Sequence, residues 1–232
     1  MAQTVEPSVP AWETKTKQRI TEALPNIKKH ARTLRASSAN EATTRSVVSE
    51  MLSYALGYDT AEDIDQESEI REGRADYGLR AKGEMIALVE VKRIGTTLST
   101  RHLNQLETYA LHRGVRWAIL TNGQMWQLHH IDGGTPTTTT LVTEVDLLDG
   151  SWVSTHLRGL FAMSKEALQR NFPINQWREN HAKSPAVLQR ALLSDQVIRV
   201  LSSAVYKEAQ YRLTPADLRT ALSESVIRAN LG

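Results

Sequence analysis

The chain contains no cysteine. Disulfides, thiolate zinc sites and cysteine nucleophiles are therefore excluded, and the absence fits a reducing compartment. Glycine and proline are sparse, at 12 and 7 of 232 residues. No stretch approaches the roughly 18 consecutive apolar residues that a membrane span needs. The opening MAQTVEPSVPAWETKTK has no apolar core of the kind a signal peptide carries. The expectation is a cytoplasmic chain with no membrane contact. There is no internal repeat, and the only low-complexity segment is the Thr run at 137–140.

What is present is an ordinary globular profile, 41% hydrophobic and 23% charged. The length suits one substantial domain with an added lobe, or two small ones. The net charge of +2 conceals a pattern. Residues 1–40 hold 7 Lys and Arg against 3 Asp and Glu, residues 41–150 hold 10 against 17, and residues 151–232 hold 11 against 6. An acidic middle is flanked by two basic ends. Solvated helix faces and a nucleic-acid footprint account for such ends equally well.

Periodicity gives the elements. Residues 13–35 read as a helix with Pro25 as a break or kink. Ser37, Ser38 and Asn40 offer caps for a second helix over 41–56, ended by Gly57. Residues 60–69 are acidic and irregular, and an extended stretch begins at Ile70 and Arg71. Ala75 to Ala81 reads as a strand, Lys82-Gly83-Glu84 as a turn and MIALVEV, 85–91, as the return strand of a hairpin. A helix over 98–112 follows, then a buried strand over 115–122. Asn122-Gly123 is a strong hairpin signal, with 125–131 as its return. Residues 132–140 form a loop whose Thr run can extend into an edge strand. Helices are expected over 152–163, 165–171, 185–206 and 215–229. The fold class is α/β, a mixed sheet flanked by helices with helical additions at both ends. The division is 1–36, an N-terminal helical extension; 37–150, the α/β domain; and 151–232, a C-terminal helical lobe.

One constellation carries chemistry. Side chains two apart on a strand share a face, so Glu90 and Lys92 point together while Val89 and Val91 enter the core. The hairpin brings Asp76 beside them. Two carboxylates on an otherwise apolar strand pair repel and resist desolvation. A divalent cation would resolve this, and Mg²⁺ favours few carboxylates with waters and phosphate oxygens. Read without function, Glu90 and Lys92 are a strand-end charge pair. Other candidates fall away. Gly78 and Gly83 have P-loop spacing, but Glu84 and Met85 stand where Lys and Ser or Thr are required. His129 and His130 are adjacent on a strand and face opposite sides, which hinders a shared metal. Trp117, Trp126 and Trp152 could stack on bases, although the first two sit in buried strands and fit core packing better.

The run GRADYGLRAKGEMIALVEVKR resembles the N-terminal nuclease region of type I restriction enzyme motor subunits, a branch of the PD-(D/E)xK superfamily. Its D-x(n)-E-x-K pattern falls on Asp76, Glu90 and Lys92, with Asp76-Tyr77 replacing Pro-Asp. The resemblance continues through LNQLETYALHRGVRWAILTNGQMWQLHHI, where Gln105 and Tyr109 match a Q-x-x-x-Y motif. NEATTRSVVSEMLSYALGYD is similar to the helix that supplies an acidic residue near the metal, with Glu41 the candidate and Glu50 the runner-up. The likeness spans about 40–131, and the expectation is a stand-alone chain without the ATPase motor. It implies a restriction-endonuclease-like core and a Mg²⁺- or Mn²⁺-dependent endonuclease or related phosphodiesterase hydrolysing DNA, in restriction or defence. The metal ligands would be Asp76, Glu90, the Val91 carbonyl and Glu41. Asp76, Glu90, Lys92, Gln105 and Tyr109 would serve catalysis. Arg71, Arg74, Arg93, Arg101 and Arg113 would contact the nucleic acid, and the partners would be DNA and a homo-oligomer or defence-complex subunits. The competing reading is a catalytically silent nucleic-acid-binding or protein-interaction module on the same fold.

Overall fold

The computed structural model describes residues 9–66, 75–135, 137–151 and 153–226. It opens with helix α1, Ala11–Ala36. Ile20, Leu24, Ile27, Ala31 and Leu34 recur at spacings of three and four and form its buried stripe. Pro25 lies within α1 on its exposed side, and the helix runs through it. The backbone bond that proline removes is lost where solvent can serve the freed carbonyl, while Leu24 and Ile27 hold either side.

Helix α2, Glu41–Glu50, is capped by Asn40, whose side chain accepts from Thr43 N at 2.8 Å. It passes into a π-helical turn, Met51–Ala55. Six strands follow: β1 (Ile64–Gln66), β2 (Tyr77–Ala81), β3 (Glu84–Val91), β4 (Trp117–Thr121), β5 (Met125–Asp132) and β6 (Thr138–Asp146). They form one sheet in sequence order. Only β3 and β4 are parallel; the other neighbours are antiparallel. A parallel pair needs a crossover. Here it is a 3₁₀ turn, Thr100–Leu103, leading into α3, Asn104–His112.

Helix α3 covers one face of the sheet, where Leu103, Leu106, Tyr109 and Ala110 join Leu88, Ala118, Leu120 and Ile131 in one buried cluster. On the other face α2 meets the sheet, with Ser49 Oγ 3.2 Å from Tyr77 Oη. The mixed sheet flanked by helices is the expected α/β class, consistent with a restriction-endonuclease-like core. Helices α4 (Ser154–Met163) and α5 (Lys165–Gln169) complete this unit. Arg19 of α1 donates to both carboxylate oxygens of Glu166, at 2.7 and 2.8 Å. Burial pulls the Glu166 pKa up, but the Arg19 hydrogen bonds, a backbone hydrogen bond and the Arg19 and Lys165 charges together outweigh it and leave the group below its ordinary value.

Contacts divide the chain into two units, Met1–Asn175 and Gln176–Gly232. Helix α6, Ile174–Ala182, starts at the boundary; the second unit continues with α7 (Pro185–Leu192), α8 (Asp195–Ala209) and α9 (Pro215–Ala221). The segment read as one helix over 185–206 is therefore two, and α6 lies where no helix was expected. The Thr run does extend into an edge strand, β6, so the loop is shorter than the 132–140 read for it, and β1 lies in the segment read as irregular. The extended stretch expected from Ile70 and Arg71 lies outside the described residues. Among the described residues, no helix is long and apolar enough to cross a membrane.

Candidate functional site

The strand β3 reads EMIALVEV, and its alternation sets the site. Val89 and Val91 are wholly buried, whereas the Glu90 and Lys92 side chains remain 18% and 24% exposed. Lys92 follows the last strand residue and donates from its backbone N to Thr121 O at 2.8 Å, so the chain is still held beside β4. The register pairs Tyr77 with Val89; one further step sets Asp76 across from Glu90. Asp76 N donates to Val89 O at 3.0 Å, which fixes that step. The three residues thus meet at the carboxyl end of β3, as the spacing required.

Their charges are matched locally. Lys92 Nζ donates to Glu90 Oε1 at 2.6 Å. Asp76, only 7% exposed in its side chain, accepts from Val91 N at 2.6 Å through Oδ2. Its Oδ1 accepts from the Arg45 guanidinium of α2. Burial raises the Glu90 pKa, the Lys92 hydrogen bond opposes this, and the nearby Asp76 and Glu41 carboxylates add to the rise. Burial acts to lower the Lys92 pKa, but Glu90, Glu41 and Asp76 outweigh it and leave the ammonium above its ordinary value. Lys92 is therefore a fixed positive charge. Glu41, first residue of α2, stands near enough for its charge to be felt at both Glu90 and Lys92.

The donor chemistry fits a hard cation. Asp76, Glu90 and the Val91 carbonyl offer oxygen alone, and Mg²⁺ uses such sets while keeping several waters. Burial first, and then the Asp76 and Glu41 carboxylates, raise the Glu90 carboxyl, and a cation there would offset both. Among the described residues there is no group of three or more His, Cys, Asp and Glu side chains arranged for a metal. Waters and a substrate oxygen would have to complete the shell. The Arg45 contact also holds one Asp76 oxygen, so a cation at Asp76 would compete with that guanidinium.

The remaining candidates scatter. Gln105 lies in α3 one turn before Tyr109. Tyr109 is buried in the cluster beneath α3, with the Arg113 guanidinium 5.4 Å from its ring centre. Arg101 is exposed in the 3₁₀ turn, and Arg113 is exposed at the end of α3. Arg93 is exposed and donates to Ser38 O at 3.3 Å. Glu50 is engaged by His30 Nδ1 at 3.0 Å. Arg71, Arg74 and Trp152 lie outside the described residues. Trp117 and Trp126 are buried, as core packing requires.

Two contributors escaped the sequence reading. Arg45 pairs with Asp76, and its position four residues after Glu41 on one helix face was the available signal. Thr44 Oγ1 accepts from Ile94 N at 3.0 Å, tying the exit of β3 to α2; nothing in its spacing announced that.

Residues 40–143 match the family described as the type I restriction enzyme R protein N terminus. The match covers just under half of the chain and contains Glu41, Arg45, Asp76, Glu90 and Lys92. It supports the resemblance read from residues 40–131: this region is similar to that family. No curated protein and no solved structure matches the chain.

Proposed function

We propose, taking the likeness of residues 40–143 to the type I restriction enzyme R protein N terminus as premise, that this chain is a metal-dependent phosphodiesterase acting on DNA in restriction or defence. The observation that carries the reading is the meeting of Asp76, Glu90 and Lys92 at the carboxyl end of β3. Asp76 and Glu90, with the Val91 carbonyl and Glu41 alongside, would hold Mg²⁺ or Mn²⁺. Such an ion, when bound, lowers the pKa of a water and offsets charge on phosphoryl oxygens. Lys92 supplies a permanent positive charge where negative charge grows on the phosphorus oxygens. Val91 N keeps Asp76 oriented, and Glu90 keeps the ammonium in place.

The test is a cleavage assay on plasmid, linear, single-stranded and branched DNA with Mg²⁺ and with Mn²⁺. Metal-dependent cutting of any of them is expected, lost on chelation. A second reading, a silent binding module, draws on the pairing of Asp76 with Arg45 and of Glu90 with Lys92. Protein that binds DNA but never cuts, across metals and substrates, would favour it. DNA is the partner in both readings; a homo-oligomer or defence-complex subunits are further partners under this proposal.

A further inference from the structure

Two clefts open past the carboxyl ends of the parallel strands β3 and β4. One, of about 440 Å³, is lined by Arg35, Ser38, Arg93, Ile94, Gly95 and Thr96. The other, of about 260 Å³, shares Arg35, Gly95 and Thr96 and reaches Asn122 and Gln124 after β4. The carboxyl ends of strands are where open α/β sheets take ligands. Arg93 directly follows Lys92, and the loop bearing Ser38 leads into Glu41, so the larger cleft borders the carboxylate site.

The charge of this cleft is uncommitted. Arg19, Arg45, Arg80, Arg116 and Arg219 each face a carboxylate. Arg35 and Arg93 share one cleft and form no ion pair with a carboxylate among the described residues; Glu144, which lines the adjoining cleft with Arg35, accepts instead from Gln127 Nε2 at 2.5 Å. Glycine is required beside them. Gly95 has φ +88°, and a Cβ there would collide with the Arg35 guanidinium. The loop is pinned at both ends, by Ile94 N on Thr44 Oγ1 at 3.0 Å and by Asn122 Nδ2 on Thr96 O at 2.8 Å. Two guanidiniums held in a polar cleft match the bidentate geometry of phosphate.

We propose that Arg35 and Arg93 form a pocket for one phosphate group of a polynucleotide, adjoining the Asp76–Glu90–Lys92 site. The proposal rests on the reading that this site acts on nucleic acid, and it names where the backbone is gripped. It also accounts for how an acidic middle segment holds an anion: Arg35 comes from the basic first segment. The phosphate is either an internal diester or a terminal monoester; both present the same oxygens.

The experiment is fluorescence anisotropy of the full chain with short labelled DNA duplexes in EDTA, where no cleavage occurs. Arg35→Gln and Arg93→Gln should each weaken binding about tenfold. Each should also flatten the slope of log affinity against log salt by about one. Gly95→Ala keeps both arginines but displaces Arg35, and should weaken binding comparably. Arg116→Gln, away from the cleft and paired with Asp132, should leave binding within about twofold of wild type. If the ligand is a terminal monoester, adding a 5′-phosphate tightens wild-type binding and a closed circle competes poorly. If it is an internal diester, the circle competes as well as linear DNA. Either pattern, lost in the arginine variants, supports the pocket. Unchanged affinity and salt slope in both arginine variants overturn it, even if wild-type protein cuts DNA. Wild-type protein that binds through these arginines but never cuts removes the phosphodiesterase reading alone. Wild-type protein that binds no DNA removes both.

Discussion

Single residues at the edge of β3 carry charges that are matched in pairs, Lys92 with Glu90 and Arg45 with Asp76. This has a consequence for cation binding. Mn²⁺ calorimetry should show a site that Asp76→Ala and Glu90→Ala each abolish. Binding that survives both substitutions would remove the metal assignment. A second residue-level prediction concerns His129, buried on β5 with Nε2 3.1 Å from Gln127 Oε1. Burial lowers its pKa from 6.5 to about 4. The folded pKa is depressed, so the unfolded chain takes up the proton first. Stability from this group is full above about pH 6.5 and is lost as pH falls toward about 4, by about 3 kcal/mol. Urea unfolding across that window should show this loss, and His129→Leu should shrink it. An identical pH dependence in the variant would contradict the assignment. The carboxylates and Lys92 were legible in the sequence because strand parity and hairpin adjacency are simple rules. Arg35 and Arg45 were less so, since their roles depend on how helices meet the sheet.

Elements were legible where one period dominated. MIALVEV gave β3 because β-branched and aliphatic residues fill both faces near the parallel partner. Only the start of β6 fell in the segment read as loop, with an edge strand through the Thr run as its extension, because DGGTPTTTT is dominated by turn residues. Only Val142 and Val145 are buried there, and a register shift at Leu128/His129 interrupts the pairing. The helix over 185–206 breaks at Leu193 and Ser194, where Ser194 Oγ donates to Ala191 O at 2.7 Å. The Ser194-Asp195 pair was a start signal within an apolar pattern that reads as continuous. The β4–β5 hairpin turns on Gly123, with φ +79°, while the Asn122 side chain accepts from Gln124 N at 3.0 Å and Met125 N at 2.6 Å. A Cβ at Gly123 would stand 2.8 Å from Val47 Cγ1 of α2. Gly123→Ala should therefore cost about 1–3 kcal/mol of stability, read by urea unfolding. A neutral effect would mean that the turn relaxes freely and is not held by α2.

Across the whole molecule, the described site residues all lie in the first unit, and the second carries 8 Lys and Arg against 5 Asp and Glu. The account predicts that a chain ending at Asn175 keeps metal-dependent cleavage while binding DNA with a shallower salt dependence. Loss of cutting with the first unit still folded would place part of the chemistry in the second. The central claim, that Asp76, Glu90 and Lys92 form a working phosphodiesterase site, is tested most directly through Lys92. An ammonium does not coordinate a cation, and methionine keeps much of the stem packing. The measurement is the single-turnover cleavage rate of Lys92→Met beside wild type, with Mn²⁺ binding followed on the same samples. The account predicts intact Mn²⁺ binding and cleavage slowed about 100-fold or more. A Lys92→Met protein that binds Mn²⁺ and cuts at the wild-type rate would contradict it.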